Sequence, residues 1–299
     1  MSVSSNLIFY DTETTGLLKD FSQILQCGSI QTSRSLEILH EQNLGCAPLP
    51  WAIPHPMAMV TNKKTNLFHS NVSHYELMRD LNRQWRQWTI DEPAVFITFN
   101  GMAYDEELVR RQFYWNLFES YLTNTNGNGR LDILLMMNNV AAFSPDVLNI
   151  PLFDGGPGIS LKQADIAEAN GIEIGDAHDA IADCKLMIGL LEKINAKKPE
   201  LIDFFLSIST KPGIQAAVEQ PGFLALGEVF RREIFKYPVV PCGSKAPNDL
   251  MFFDLSFEPE EIFEMDTQEI YSLVQKPGKS GHFKKYGINK TIPVCPSSM

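Results

Sequence analysis

Residues 7–16 read Leu-Ile-Phe-Tyr-Asp-Thr-Glu-Thr-Thr-Gly, and this stretch decides how the chain is read. Leu7 to Tyr10 form a short apolar run of the kind a buried strand shows, and Gly16 supplies a turn soon after it. Asp11 and Glu13 stand two residues apart where that strand ends, so their side chains leave the same face. Two ionised carboxylates converging at the end of a sheet repel each other unless a cation lies between them. Hard divalent cations such as Mg²⁺ or Mn²⁺ prefer such all-oxygen ligation. A bare D-x-E is more often a pair of solvated turn residues. The apolar run before it and Thr14-Thr15-Gly16 after it are what raise it to a candidate metal site.

Two more carboxylates and one histidine complete the pattern. Asp105 follows an expected strand at 94–99 and the turn signal Asn100-Gly101. It falls near the start of a helix expected over 103–119, where a negative side chain is favourable. Glu106 and Glu107 are read as solvated charges on that helix. His178 and Asp183 form H-x4-D at the start of the longest expected helix, 179–196, with Asp179 as its N-cap. On one continuous helix the two would lie about 140° apart. They converge only if His178 precedes the helix and Asp183 occupies its first turns. Acids spread over the chain, with one histidine near the last of them, fit phosphodiester hydrolysis with two metal ions about 3.5–4 Å apart. A neutral histidine, with an ordinary pKa of about 6.5, can take the proton of the attacking water.

Outward from these motifs, further strands are expected at 22–31 and 35–44, with a turn near Ser33-Arg34. An irregular loop with four prolines covers 47–56. Ser73 and Glu76 form a capping box for a helix over 74–88. A polar loop spans 124–129, and a helix is expected over 131–142. Ser160 is read as the cap of a helix over 161–169, ended by Gly171, and a short helix follows the longest one near 200–208. This is a mixed α/β domain over 1–215. Beyond Pro221 short apolar runs are broken by Pro and Gly, as in a small β-rich domain over 216–299 with one helix near 267–275.

The 299 residues suffice for a catalytic domain and a smaller companion. A formal net charge of −11 argues against a protein that coats nucleic acid by bulk electrostatics. It is compatible with an enzyme that grips a strand end locally, since bound metals reverse the sign at a carboxylate cluster. Five scattered cysteines without a C-x-x-C pair point to reduced thiols rather than disulfides or zinc. No apolar run reaches the roughly 18 residues of a membrane span, and residues 1–6 lack signal-like features. A cytoplasmic location is expected.

The motifs resemble those of the DEDDh 3′→5′ exonuclease superfamily, which has a ribonuclease H-like fold. Asp11-Thr12-Glu13-Thr14-Thr15-Gly16 matches its first motif, Asn100 through Asp105 its second, and His178 through Asp183 its third. Any one alone is common; the three in this order are specific. Asp105-Glu106-Glu107 with Arg110 to Tyr114, Arg130 to Leu134, and Ala169 to Glu173 extend the resemblance to the bacterial exonuclease I family. The β-rich tail is similar to that family's small SH3-like barrel, so the likeness covers nearly the whole chain. A counterpart of the family's C-terminal helical domain is not expected within the 299 residues.

The resemblance implies Asp11, Glu13, Asp105 and Asp183 as ligands of two Mg²⁺ ions, replaceable by Mn²⁺, and His178 as general base. It implies Thr12, Asn100 and Tyr104 at the 3′-terminal nucleotide. Thr15 departs from the family, which often has an aromatic residue there. Single-stranded DNA with a free 3′ end is the implied partner, with a single-stranded-DNA-binding protein as a second. Because the global charge opposes the strand, local cations must hold it: Lys63, Lys64, Arg110, Arg111 and Arg130, with Lys279, Lys284 and Lys285 on the tail. Two alternatives stay open. One is an exoribonuclease or oligonucleotidase, which would recognise a 2′-hydroxyl. The other is a non-catalytic nucleic-acid-binding protein on the same fold, whose signature would be loss of one of the five residues; all five are present.

Overall fold

Two five-stranded sheets organise the chain in a computed structural model that describes residues 5–175, 179–244, 246–275 and 281–298. In the first sheet β1 (Asn6–Thr14) is central. It pairs antiparallel with β2 (Ile24–Ser33), which pairs antiparallel with β3 (Ile38–Gly45). On its other side β1 runs parallel to β4 (Ala94–Thr98), and β4 runs parallel to the edge strand β5 (Gly129–Asp132). The strand order is β3-β2-β1-β4-β5.

Alternation along β1 feeds two cores, because successive side chains leave opposite faces. Ile8 and Tyr10 pack with Phe96 against the helices α2 (His74–Trp88) and α3 (Asp105–Trp115). Leu7 and Phe9 pack with Val95 and Ile97 against α4 (Ile133–Phe143), α6 (Ala180–Lys197) and α7 (Pro199–Ser207). Shorter helices α1 (Pro56–Asn62), α5 (Gln163–Ala169) and α8 (Lys211–Val218) fill the connections. With both faces covered, β1 and β2 are buried almost throughout, and the apolar run at residues 7–10 has its explanation.

The second sheet is antiparallel throughout, in the order β10-β6-β7-β8-β9. Its strands are β6 (Leu224–Phe230), β7 (Glu233–Gly243), β8 (Asp249–Asp254), β9 (Phe283–Gly287) and β10 (Val294–Pro296). Between β8 and β9 lie a single turn, α9 (Glu260–Phe263), and α10 (Thr267–Gln275), the helix expected at 267–275. This sheet lies directly on α4. A Cβ at Gly227 would stand 2.8 Å from the Asn138 carbonyl oxygen and 3.0 Å from Ala142 Cβ. Leu226, Val239, Phe252, Ile292 and Val294 therefore join the same buried cluster as Leu131, Val140 and Leu206.

The capping box of Ser73 and Glu76 and the Asp179 cap are present as expected. Several expectations are corrected. Residues 129–132 form β5, and Asp132 caps α4 at residue 133, so a strand occupies what reads as loop and helix start. The helix expected over 103–119 is α3, confined to Asp105–Trp115 and preceded by a 3-10 turn. Ser160 does not cap α5; Lys162 holds that position, while the Ser160 hydroxyl binds Asp165. The proline-rich loop ends in α1, where Pro56 fits because the first helical residue needs no N–H donor. Among the described residues all five cysteines are free, and no helix is long and apolar enough to cross a membrane.

Candidate active site

The site forms where β1 meets the start of α6. Asp11 lies opposite Gly28 on β2, and Glu13 lies opposite Gln26. A Cβ at Gly28 would stand 2.6 Å from the Ala180 carbonyl carbon and 2.7 Å from the Ile181 nitrogen, both backbone atoms of the first turn of α6. Only a residue without a side chain lets the helix approach β2 this closely. The approach brings Asp183 to β1: ligand oxygens of Asp11, Glu13 and Asp183 all lie within 4.8 Å of one another. Gln163 also holds the helix, donating from Nε2 to the Asp183 carbonyl at 2.6 Å.

Asp105 stands beside this trio rather than within it. It is the first residue of α3, and its carboxylate accepts a hydrogen bond from the Thr12 hydroxyl, which lies between Asp11 and Glu13 in sequence. Burial raises the Asp11 pKa well above the ordinary carboxylate range, and the charges of Asp105, Asp183 and Glu13 raise it further. Burial also pushes Glu13 up to about 8, with Asp183 adding and Lys64 partly opposing. Burial brings Asp105 to about 6 against the opposing hydrogen bond from Thr12. Hard oxygen donors crowded into mutual repulsion are a donor set that a divalent cation fits, because its charge removes the repulsion.

One residue behind the trio the arrangement reverses. Glu106, expected to be a solvated charge, is buried. It accepts from the Tyr10 hydroxyl at 2.7 Å, the Thr123 hydroxyl at 2.6 Å and Arg130 Nη1 at 2.7 Å. A second Arg130 nitrogen donates to the Asn289 carbonyl oxygen of the second sheet's loop. The substitution of salt bridge for solvent leaves no sequence trace, since Glu106 and Glu107 are adjacent acids. Glu107 is only partly exposed and pairs with Arg110 and Arg111.

The expected substrate residues divide. Tyr104 directs its hydroxyl to the Gly16 carbonyl and the Thr14 hydroxyl, closing the loop after β1. Asn100 adopts a left-handed φ of 61° and donates its N–H to Asp132 at 2.8 Å. It lines a cleft of about 520 Å³ together with Phe153, Lys162 and Arg232. Thr15 is buried and accepts from the Gln23 N–H at 2.8 Å, so it offers no stacking surface. The guanidinium groups of Arg110 and Arg130 are committed to Glu107 and Glu106, so a phosphate would have to displace a carboxylate. Lys284, expected on the strand path, is instead buried with its ammonium 3.6 Å from the Tyr237 ring centroid. Lys285 pairs with Asp249. His178 and Lys279 lie outside the described residues.

Sequence reasoning passed over Gly28 and Asp132. Asp132 accepts the Asn100 and Met102 amides and caps α4, so it fixes the turn that delivers Asp105. The similarity of residues 130–134 to the exonuclease I family was the available signal for Asp132. No local signal marks Gly28.

No family model matches the chain. Exodeoxyribonuclease I of Buchnera aphidicola subsp. Acyrthosiphon pisum is 28% identical over 229 residues, 73% of this chain and 52% of that protein. The Escherichia coli K12 protein of the same name is 26% identical over 224 residues, 73% of this chain and 46% of that protein. The chain thus spans about half the length of the curated relatives it matches. E. coli exonuclease I in complex with a dT13 oligonucleotide superposes with a TM-score of 0.81 at 20% identity, over 98% of this chain and 66% of that one. Fold, order of motifs and sequence relatives agree in one direction: the chain is similar to exonuclease I in sequence over 73% of its length and shares its fold.

Proposed function

We propose that the protein is a metal-dependent 3′→5′ exonuclease that removes 5′-mononucleotides from the 3′ end of single-stranded DNA. The observation that carries this reading is the convergence of Asp11, Glu13 and Asp183 within 4.8 Å, with Asp105 beside them. These four carboxylates would hold two divalent cations, Mg²⁺ or Mn²⁺. Such ions supply charge for the attacking and leaving oxygens of a phosphodiester. Thr12 orients Asp105 through its hydroxyl, and Tyr104 closes the loop beyond Glu13 where a terminal nucleotide would sit. His178 is assigned by its motif as the group that accepts the proton of the attacking water. The cleft lined by Asn100, Lys162 and Arg232 has the charge a departing strand needs. The second sheet, taken as an SH3-like barrel over 216–299, would form its far wall.

Single-stranded DNA as substrate is supported by the oligonucleotide complex of the E. coli neighbour. A single-stranded-DNA-binding protein as partner is supported by the solved SSB/exonuclease I assembly. The test is digestion of end-labelled single-stranded DNA, duplex DNA and RNA with Mg²⁺. Single-stranded DNA with a 3′-hydroxyl should be degraded fastest, and a 3′-phosphate should block release. Cutting of a circular single strand would contradict the reading.

A further inference from the structure

Lys64 occupies a position that the trio's own residues do not explain. It follows α1 after Lys63, whose left-handed φ of 56° turns the chain sharply. The segment is pinned to the end of β1. Asn62 Nδ2 donates to the Thr14 carbonyl at 3.0 Å, and the Lys64 N–H donates to Asn62 Oδ1 at 3.2 Å. From that anchor Lys64 Nζ reaches Asp179 Oδ2 at 3.0 Å. The same oxygen accepts from Gln26 Nε2 at 3.1 Å, and Gln26 is the register partner of Glu13. The other Asp179 oxygen accepts the N–H groups of Ile181 and Ala182. The Asp179 carbonyl accepts the N–H of Asp183 at 2.9 Å.

One ammonium therefore ties the end of the strand that carries Glu13 to the first turn of the helix that carries Asp183. The side chains of Lys64 and Asp179 are 15% and 28% exposed, so the pair is partly shielded from solvent and held by three further hydrogen bonds. An exposed pair would restrain little. We propose that Lys64 is a positioning residue, which acts through Asp179 to hold the Asp183 end of the trio in place for a divalent cation. This rests on the metal-dependent reading of the site. Groups that orient metal ligands commonly change affinity by 10-fold to 100-fold when removed.

Two simpler roles make opposite predictions. A lysine that only adds positive charge near the trio opposes cation binding, so removing it should tighten binding. A lysine that grips a DNA phosphate should leave cation binding alone and lower the salt dependence of strand binding. The experiment is calorimetric titration of Mn²⁺ into wild type, Lys64→Met, Lys64→Gln, Lys64→Arg, Asp179→Asn and the Lys64→Met/Asp179→Asn pair. Asparagine caps a helix as well as aspartate, so Asp179→Asn removes the charge and keeps the cap.

Lys64→Met and Lys64→Gln should each weaken Mn²⁺ binding about 10-fold, Lys64→Arg should restore it, and the double variant should bind no more weakly than the weaker single one. Unchanged or tighter binding in Lys64→Met and Lys64→Gln overturns the proposal, as does a double variant whose losses add. Single-stranded DNA hydrolysis is followed in parallel. If wild type binds Mn²⁺ with the expected pattern yet hydrolyses nothing, the nuclease reading fails and the clamp stands. If wild type hydrolyses DNA and the Lys64 variants bind Mn²⁺ normally, the clamp alone fails.

Discussion

Asp11 and Tyr10 are neighbours on one strand, and Asp105 and Glu106 are neighbours on one helix, yet the two pairs lead opposite lives. Tyr10 and Glu106 point into a network in which every partner is supplied: a hydroxyl from Tyr10, another from Thr123 and a guanidinium from Arg130. Asp11 converges on Glu13 and Asp183 with Asp105 beside them, and there burial and like charge push proton affinities up. A buried charge with its counter-charge present is a structural element. A buried cluster of one sign is a site that requires something from outside the chain.

The largest effect should come from removing that requirement. Asp11→Asn should reduce turnover on single-stranded DNA by several orders of magnitude and, without metal, raise the melting temperature, because one member of a mutually repulsive carboxylate cluster is gone. Loss of both activity and metal-free stability would place Asp11 with the structural network instead. Next in size is Arg130→Met, which strands Glu106 and should cost roughly 3–5 kcal/mol in denaturant titration. A variant as stable as wild type would show that the Glu106 network is not what holds this edge.

A third test separates the two clusters by pH. Glu13 and Asp105 hold protons in the folded chain up to about 8 and about 6, above their ordinary values of 4.5 and 3.8. The folded state binds more protons than the unfolded one in that window, so stability must fall as pH rises through it. Melting of chelator-treated protein should therefore drop between pH 5 and pH 9, and added Mg²⁺ should flatten the slope. A slope indifferent to Mg²⁺ would mean the carboxylates do not take the ion. The smallest effect is expected from Tyr10→Phe. Glu106 loses one donor of three, so stability should fall by about 1 kcal/mol, with activity nearly retained. A collapse of activity would tie the satisfied network directly to the chemistry.

The residues of the trio were legible because spacing carries them. A two-residue interval on a strand and a cap followed by a first-turn acid each constrain direction, whatever the rest of the fold does. The Glu106 network was not legible, since it depends on Arg130 arriving from β5, four residues that read as the end of a polar loop and the start of a helix. Gly28 was silent for a related reason. Its role is a distance between β2 and α6, set by residues about 150 positions apart in sequence. The helix in the proline-rich stretch was hidden by the usual meaning of proline, although Pro56 stands at the one helical position that tolerates it.

The packing of the second sheet against α4 bears on how the protein comes apart. Leu226, Val239 and Val294 share one buried cluster with Leu131 and Leu206, so neither half can melt without exposing the other's interior. Thermal or chemical unfolding should proceed as a single cooperative transition across both sheets. Cleavage near residue 215 would leave an N-terminal half with a bare apolar face along α4, prone to self-association. The sequence changes texture near Pro221, and one buried cluster of the described residues draws on both sides of that point.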